Sequence, residues 1–136
     1  MPKVIIYTDG GARGNPGPAG AGVVIQDGAK TYELKKYLGE RQTNNFAEYE
    51  AVAIALTEAK KKKLAGRSLE IRMDSQLVVE QLSGNWKIKE AGLKAQAAKV
   101  RALLADFPSH KFVYVPRAQN KEADRLVNEA IDEAGA

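Results

Sequence analysis

Asp9 follows the apolar run of residues 4–7 after a single threonine, and Asp74 closes the alternating run of residues 68–73. Each therefore ends an expected strand, at the sheet edge that faces a ligand crevice in open α/β folds. Glu48 falls in the first turn of an amphipathic helix, on the flank of its apolar stripe. Asp124 falls in the first turn of the last helix, where a helical projection sets it beside Ile131 at the border of the buried face. Each acid also has an ordinary structural use. Asp9 suits an Asx turn completed by Gly10 and Gly11, and Glu48 completes a capping box if Asn45 is the N-cap. Asp74 suits the N-cap of a short helix starting at Ser75, and Asp124 favours its own helix dipole. As a set they ask for more, because clustered carboxylates repel and burial sharpens the repulsion. Divalent cations resolve that conflict. A set of acids without histidine or cysteine is what two-metal phosphoryl transfer uses, with ions about 3.5–4 Å apart bridging a scissile phosphate. The chemistry implied is phosphodiester hydrolysis.

The elements that must position these acids are legible in outline. Val4 to Tyr7 is apolar without alternation, as in a strand covered on both faces, and it is read as ending at Asp9 before a loop rich in glycine and proline. Residues 21–26 and 30–38 flank the hairpin signal Asp27-Gly28. After a polar connection, Tyr49, Val52, Ala53 and Leu56 recur at helical spacing in a helix starting near Phe46 and ending in lysines 60–63 before Gly66. A fourth strand over 68–73, a short helix over 76–82, a basic connection over 83–90 with the only tryptophan, and a helix over 91–106 ended by Pro108 follow. The chain closes with a strand over 111–115, a loop over 116–120 and a helix over 121–134 that buries Ala123, Val127, Ala130, Ile131 and Ala134. This order predicts an α/β fold: a mixed five-stranded sheet, three antiparallel strands followed by parallel additions, covered by helices on both faces. Residues 1–136 are expected to form a single domain.

Composition narrows the chemistry. With no cysteine and one histidine, His110, the chain can build neither a disulfide nor a thiolate or multi-histidine metal site, so any metal is held by oxygen and is a hard cation such as Mg²⁺ or Mn²⁺. The net charge of +4 favours an acidic partner such as nucleic acid. The chain passes from Met1, Pro2 and Lys3 straight into a strand and holds no long apolar segment, so a cytoplasmic protein without a membrane span is expected. The glycine-rich stretch contains neither GxGxxG nor GxxxxGK[ST], which leaves nucleotide binding without a motif.

The segments TDGGARGNPG, TNNFAEYEA, MDSQLVV and NKEADRL, in that order, resemble the motifs of type 1 ribonuclease H, and the likeness spans nearly the whole chain. The resemblance implies a Mg²⁺-dependent endonuclease that cuts the RNA strand of RNA/DNA hybrids and leaves 5′-phosphate and 3′-hydroxyl ends; a monomer is expected. It assigns catalysis and the binding of two metal ions to Asp9, Glu48, Asp74 and Asp124. It places substrate contacts at Gly11, Asn15, Asn44, Asn45 and Gln76, short polar groups suited to a minor groove where one strand alone carries 2′-hydroxyls. Arg41 and Thr43 resemble a pocket for a phosphate of the DNA strand. Trp86 stands where an aromatic ring stacks along that strand, and equally suits an apolar anchor for its connection.

Two departures stand out. A long basic insertion found in many members is reduced to residues 83–90, with Lys87 and Lys89 in its place, and the loop PRAQNK carries Arg117 where a histidine is often found. The pattern resembles the compact branch found in some bacteria and archaea. A binding module of the same fold with little hydrolysis is the competing expectation, and the intact acids argue against it.

Overall fold

The computed structural model describes residues 2–136. Its strands are Val4–Ala12 (β1), Gly17–Asp27 (β2), Lys30–Gln42 (β3), Leu69–Met73 (β4) and His110–Tyr114 (β5). They form one sheet ordered β3-β2-β1-β4-β5. β1, β2 and β3 pair antiparallel in succession, while β4 and β5 add in parallel on the other side of β1, as the element order predicts. The helices are Asn44–Lys61 (α1), Gln76–Leu82 (α2), Ala91–Leu104 (α3) and Lys121–Glu133 (α4).

Alternation along β1 sends Val4 and Ile6 into a core shared with Tyr49, Val52 and Leu56 of α1 and with Ile71, Met73 and Phe107. The opposite face of β2 receives α4 through buried Ala123, Leu126, Val127, Ala130 and Ile131. Ala134, expected in that face, is exposed because the helix has ended at Glu133. No helix among the described residues is long and apolar enough to cross a membrane.

Several boundaries differ from expectation. β1 runs on past Asp9 to Ala12, and β2 begins at Gly17, because Asp9, Gly10, Gly11 and Ala12 pair with Gly22, Ala21, Gly20 and Ala19. Side-chain pattern is silent there: glycine and alanine make ladder hydrogen bonds with the backbone while offering nothing for a periodicity to register. β3 likewise extends to Gln42. α3 stops at Leu104 rather than Asp106, since the Leu104 carbonyl turns to accept from the Phe107 N–H at 2.9 Å. β5 starts at His110, one residue earlier than read, and the 116–120 loop contains a 3₁₀ turn, Arg117–Gln119.

Candidate active site

β1 continues beyond its partner: its pairing with β4 stops at Tyr7 opposite Arg72, while its pairing with β2 goes on. The sheet therefore opens between the two strands, with Asp9 on one lip and Asp74 on the other. Two glycines bring the helices to this opening from opposite faces. A Cβ on Gly10 would lie 2.1 Å from the Ala47 carbonyl oxygen, so the first turns of α1 rest directly on the β1 backbone and carry Glu48 with them. Gly22 pairs with Asp9 across the β1/β2 ladder, and a Cβ there would lie 2.2 Å from the Ala123 carbonyl oxygen. The missing side chain opposite Asp9 is thus what seats α4 and its Asp124.

Neither capping role expected of the acids is used. Thr43, not Asn45, caps α1, its hydroxyl accepting from Phe46 N–H at 3.1 Å. Glu48 then lies too far along the helix to close a capping box, so its carboxylate is left for the site. Ser75, not Asp74, caps α2, its hydroxyl accepting from Val78 N–H at 3.3 Å. Glu122 and Asp124 both lie in the first turn of α4, so the dipole contribution expected of Asp124 persists beside its place in the site.

Asp9, Glu48 and Asp74 each bring one carboxylate oxygen within 4.8 Å of the others. Asp124 closes on Asp9 from the α4 side, within hydrogen-bonding reach of its carboxyl. Burial, then the charges of Asp74 and Asp124, push the Asp9 pKa up to about 8. Burial, then Asp9 and Asp74, hold Glu48 well above the usual carboxylate range against an opposing hydrogen bond from the Gly10 backbone. Glu48 Oε2 is buried without a hydrogen-bond partner. Two cationic side chains line the same cavity: Arg13 is paired with Asp132, and Arg117 reaches Asp124 at 3.6 Å and is otherwise in solvent. Such a set is short of positive charge, and its donors are all hard oxygens, so the residues present fit divalent cations.

The acids line a cavity of about 490 Å³ that also includes Gly11, Asn44, Tyr114 and Arg117. Asn15 and Asn44 are joined: Asn15 Oδ1 accepts from Asn44 N–H at 3.0 Å, and Asn44 Oδ1 from Ala12 N–H at 2.8 Å. Asn45 follows at the start of α1, and Gln76 is exposed at the start of α2. Arg41 and Thr43 are exposed at the end of β3, outside the cavity wall, and Trp86 and Lys87 are exposed beyond α2. His110 sits at the opposite end of its strand from Tyr114, away from the acids, as expected.

Three contributors escaped sequence reasoning. Tyr114 pairs with Met73, which puts it beside Asp74, and the parallel strand order would have revealed it. Arg13 ties the β1–β2 turn to α4 through Asp132 at 2.7 Å and the Asn128 side chain at 3.2 Å, with no local signal. Asn120, 1% exposed, directs its amide to the Thr8 carbonyl at 2.9 Å rather than capping α4, and so pins the start of that helix to the residue before Asp9.

Residues 7–130 match the family model described as reverse transcriptase-like. Among solved structures, LC11-RNase H1, crystallised in complex with an RNA/DNA hybrid, is 49% identical, covers 98% of this chain and 100% of its own, and superposes at a TM-score of 0.92. RNase H1 of Halobacterium salinarum superposes at a TM-score of 0.90 with 40% identity, over 97% of this chain and 99% of that structure. The chain belongs to the type 1 ribonuclease H family, in its compact form. Its match to curated relatives is partial in length: 44% identity to a bifunctional protein of Mycobacterium tuberculosis extends over 97% of this chain but 36% of that protein. For the ribonuclease HI of Halobacterium salinarum, 42% identical, the shares are 97% and 66%.

Proposed function

We propose that the protein hydrolyses the RNA strand of RNA/DNA hybrids, using two divalent cations, Mg²⁺ with Mn²⁺ as substitute, held by Asp9, Glu48, Asp74 and Asp124. The observation that carries this is the gathering of Asp9, Glu48 and Asp74 within 4.8 Å at the open end of a buried strand. Bound there, the cations supply a nucleophilic water at neutral pH and neutralise charge on the phosphate. The protein's part is positional. Gly10 and Gly22 set two helices close enough for their acids to reach Asp9, and Asn120 fixes the start of α4. The hydrogen-bonded pair Asn15 and Asn44 presents a firm edge to a minor groove, with Gly11, Asn45 and Gln76 beside it. Thr43 uses an oxygen lone pair as helix cap and keeps its O–H to donate to a phosphate, with the Arg41 guanidinium exposed nearby. Arg117, lining the cavity and largely exposed beside Asp124, is placed to draw a phosphate toward the acids.

Incubation with labelled RNA/DNA hybrid, double-stranded RNA and double-stranded DNA in Mg²⁺ tests this reading. Cleavage confined to the RNA strand of the hybrid is expected; binding without cleavage would favour the binding-module alternative.

The cationic side chains placed to meet substrate are few. Lys87, Lys89 and Arg41 are exposed and form no ion pair among the described residues, and Arg117, exposed apart from its 3.6 Å contact with Asp124, is the fourth. Each phosphate contact contributes about −0.9 to the slope of log affinity against log salt on B-form duplex, so a shallow slope of about −2 to −4 is expected for the hybrid. Lys87→Ala with Lys89→Ala should flatten it and raise KM more than it lowers kcat. Titration of hybrid binding across salt checks this, and an unchanged slope would place the grip elsewhere.

A further inference from the structure

The short connection of residues 83–90 has no regular structure, yet it is fastened at several points. The Asn85 and Trp86 N–H groups both return to the Glu80 carbonyl, at 2.9 and 3.2 Å. Ile88 packs against the core, while Trp86 is 45% exposed. The apolar anchor of the connection is therefore Ile88, and Trp86 is left facing outward.

Gln81, in the last turn of α2, is 6% exposed. Its Oε1 accepts from the Tyr49 hydroxyl at 2.6 Å and its Nε2 donates to the Lys87 carbonyl at 3.3 Å. Its own carbonyl accepts from Arg101 of α3 at 3.3 Å. A buried amide is costly unless both its ends are used, and an apolar residue of the same size would fill this space without that cost. What the amide adds is directional: one end is braced on α1 through Tyr49, and the other fixes the carbonyl of the residue that follows Trp86.

From this geometry we infer that Gln81, braced by the Tyr49 hydroxyl, is a positioning residue that holds the Trp86–Lys87 segment in the orientation that meets the hybrid. The inference rests on the proposed contact of that segment with substrate. The seven residues of α2, about 10 Å of helix, separate Asp74 from the segment. Gln81 touches neither substrate nor reacting atoms; it acts through the segment.

Trp86 is the only tryptophan, so its fluorescence reports on this segment directly. Gln81→Met keeps length and approximate volume while removing both hydrogen bonds, and Tyr49→Phe removes the brace alone. In variants whose melting curves show a folded protein, acrylamide quenching of Trp86 should rise about twofold in Gln81→Met and less in Tyr49→Phe. KM for hybrid should rise about 3–10-fold with kcat nearly unchanged. In a Trp86→Phe, Lys87→Ala background, Gln81→Met should add nothing to KM. Should Gln81→Met fail to fold, Tyr49→Phe carries the same comparison. Unchanged quenching in a folded variant would overturn the inference. So would a rise in quenching without a rise in KM; the Trp86 and Lys87 substitutions then say where the fault lies. If they raise KM, the segment meets substrate and Gln81 does not govern it; if they leave KM alone, the substrate contact itself is wrong.

Discussion

Asp9→Asn is expected to reduce RNA-strand cleavage by about 10³-fold or more while making the metal-free protein more stable at pH 8. The loss of activity follows from replacing the carboxylate common to the whole cluster with a weaker, neutral ligand. The gain in stability follows from the same geometry. In the folded, metal-free protein the Asp9 pKa lies at about 8, against 3.8 for an unperturbed aspartate, because burial and then Asp74 and Asp124 oppose its charge. Below pH 4 both folded and unfolded chains hold this proton. Between about pH 4 and 8 the unfolded chain has released it while the folded one has not, so stability falls as pH rises across that window and levels off above it. Glu48, raised for the same reasons, adds to the slope. Glu70 and Glu129 act in the opposite sense, their pKa values lowered by their partners, but their contribution is lost only as pH falls below about 4.5. Thermal melts in EDTA should therefore show wild type losing roughly 2–4 kcal/mol between pH 5 and pH 8, Asp9→Asn losing much less, and Mg²⁺ restoring the wild type. A wild-type protein equally stable at both pH values without metal would mean the carboxylates are not in conflict.

Gly10→Ala should destabilise the fold by about 3 kcal/mol or more, lowering Tm by about 10 °C, although it adds a single methyl group. The added carbon would lie 2.1 Å from the Ala47 carbonyl oxygen and 2.5 Å from the Glu48 nitrogen, both backbone atoms that no rotamer change can move aside. α1 must shift, and Glu48 with it, so the folded fraction should also bind Mg²⁺ more weakly. Gly22→Ala should do the same to α4 and Asp124, its carbon lying 2.2 Å from the Ala123 carbonyl oxygen. Gly92→Ala is the control: nothing lies within 4 Å of that position in α3, and a stabilisation of about 0.5 kcal/mol is expected. Comparable melts for Gly10→Ala and Gly92→Ala would contradict the close seating of α1 on β1.

These glycines also mark what could and could not be read from residues alone. The positions of Asp9 and Asp74 were legible as acids that close apolar runs, although β1 itself runs on past Asp9. The helices were legible from periodicity, to within about a turn. The length of β1 and β2 was not, since beyond Asp9 they pair only glycines and alanines, which carry no pattern. The seating of α1 and α4 was not legible either: a glycine that admits a helix looks the same in sequence as one that makes a turn. Asn120, on sequence only the last residue of a loop, turns out to be a cross-link to Thr8, a partner 112 positions away. The acids could be named from the chain, but the small residues that bring them together show their purpose only in three dimensions.

The central claim, that these carboxylates hold divalent cations to cut RNA by activating water, is tested most directly by the ends left on the cut strand. Labelled hybrid should be cleaved in Mg²⁺ and not in excess EDTA, leaving 5′-phosphate and 3′-hydroxyl ends that ligate without further treatment. Cleavage that persists in EDTA, or that leaves 2′,3′-cyclic phosphate and 5′-hydroxyl ends because the neighbouring 2′-oxygen was the nucleophile, would contradict it.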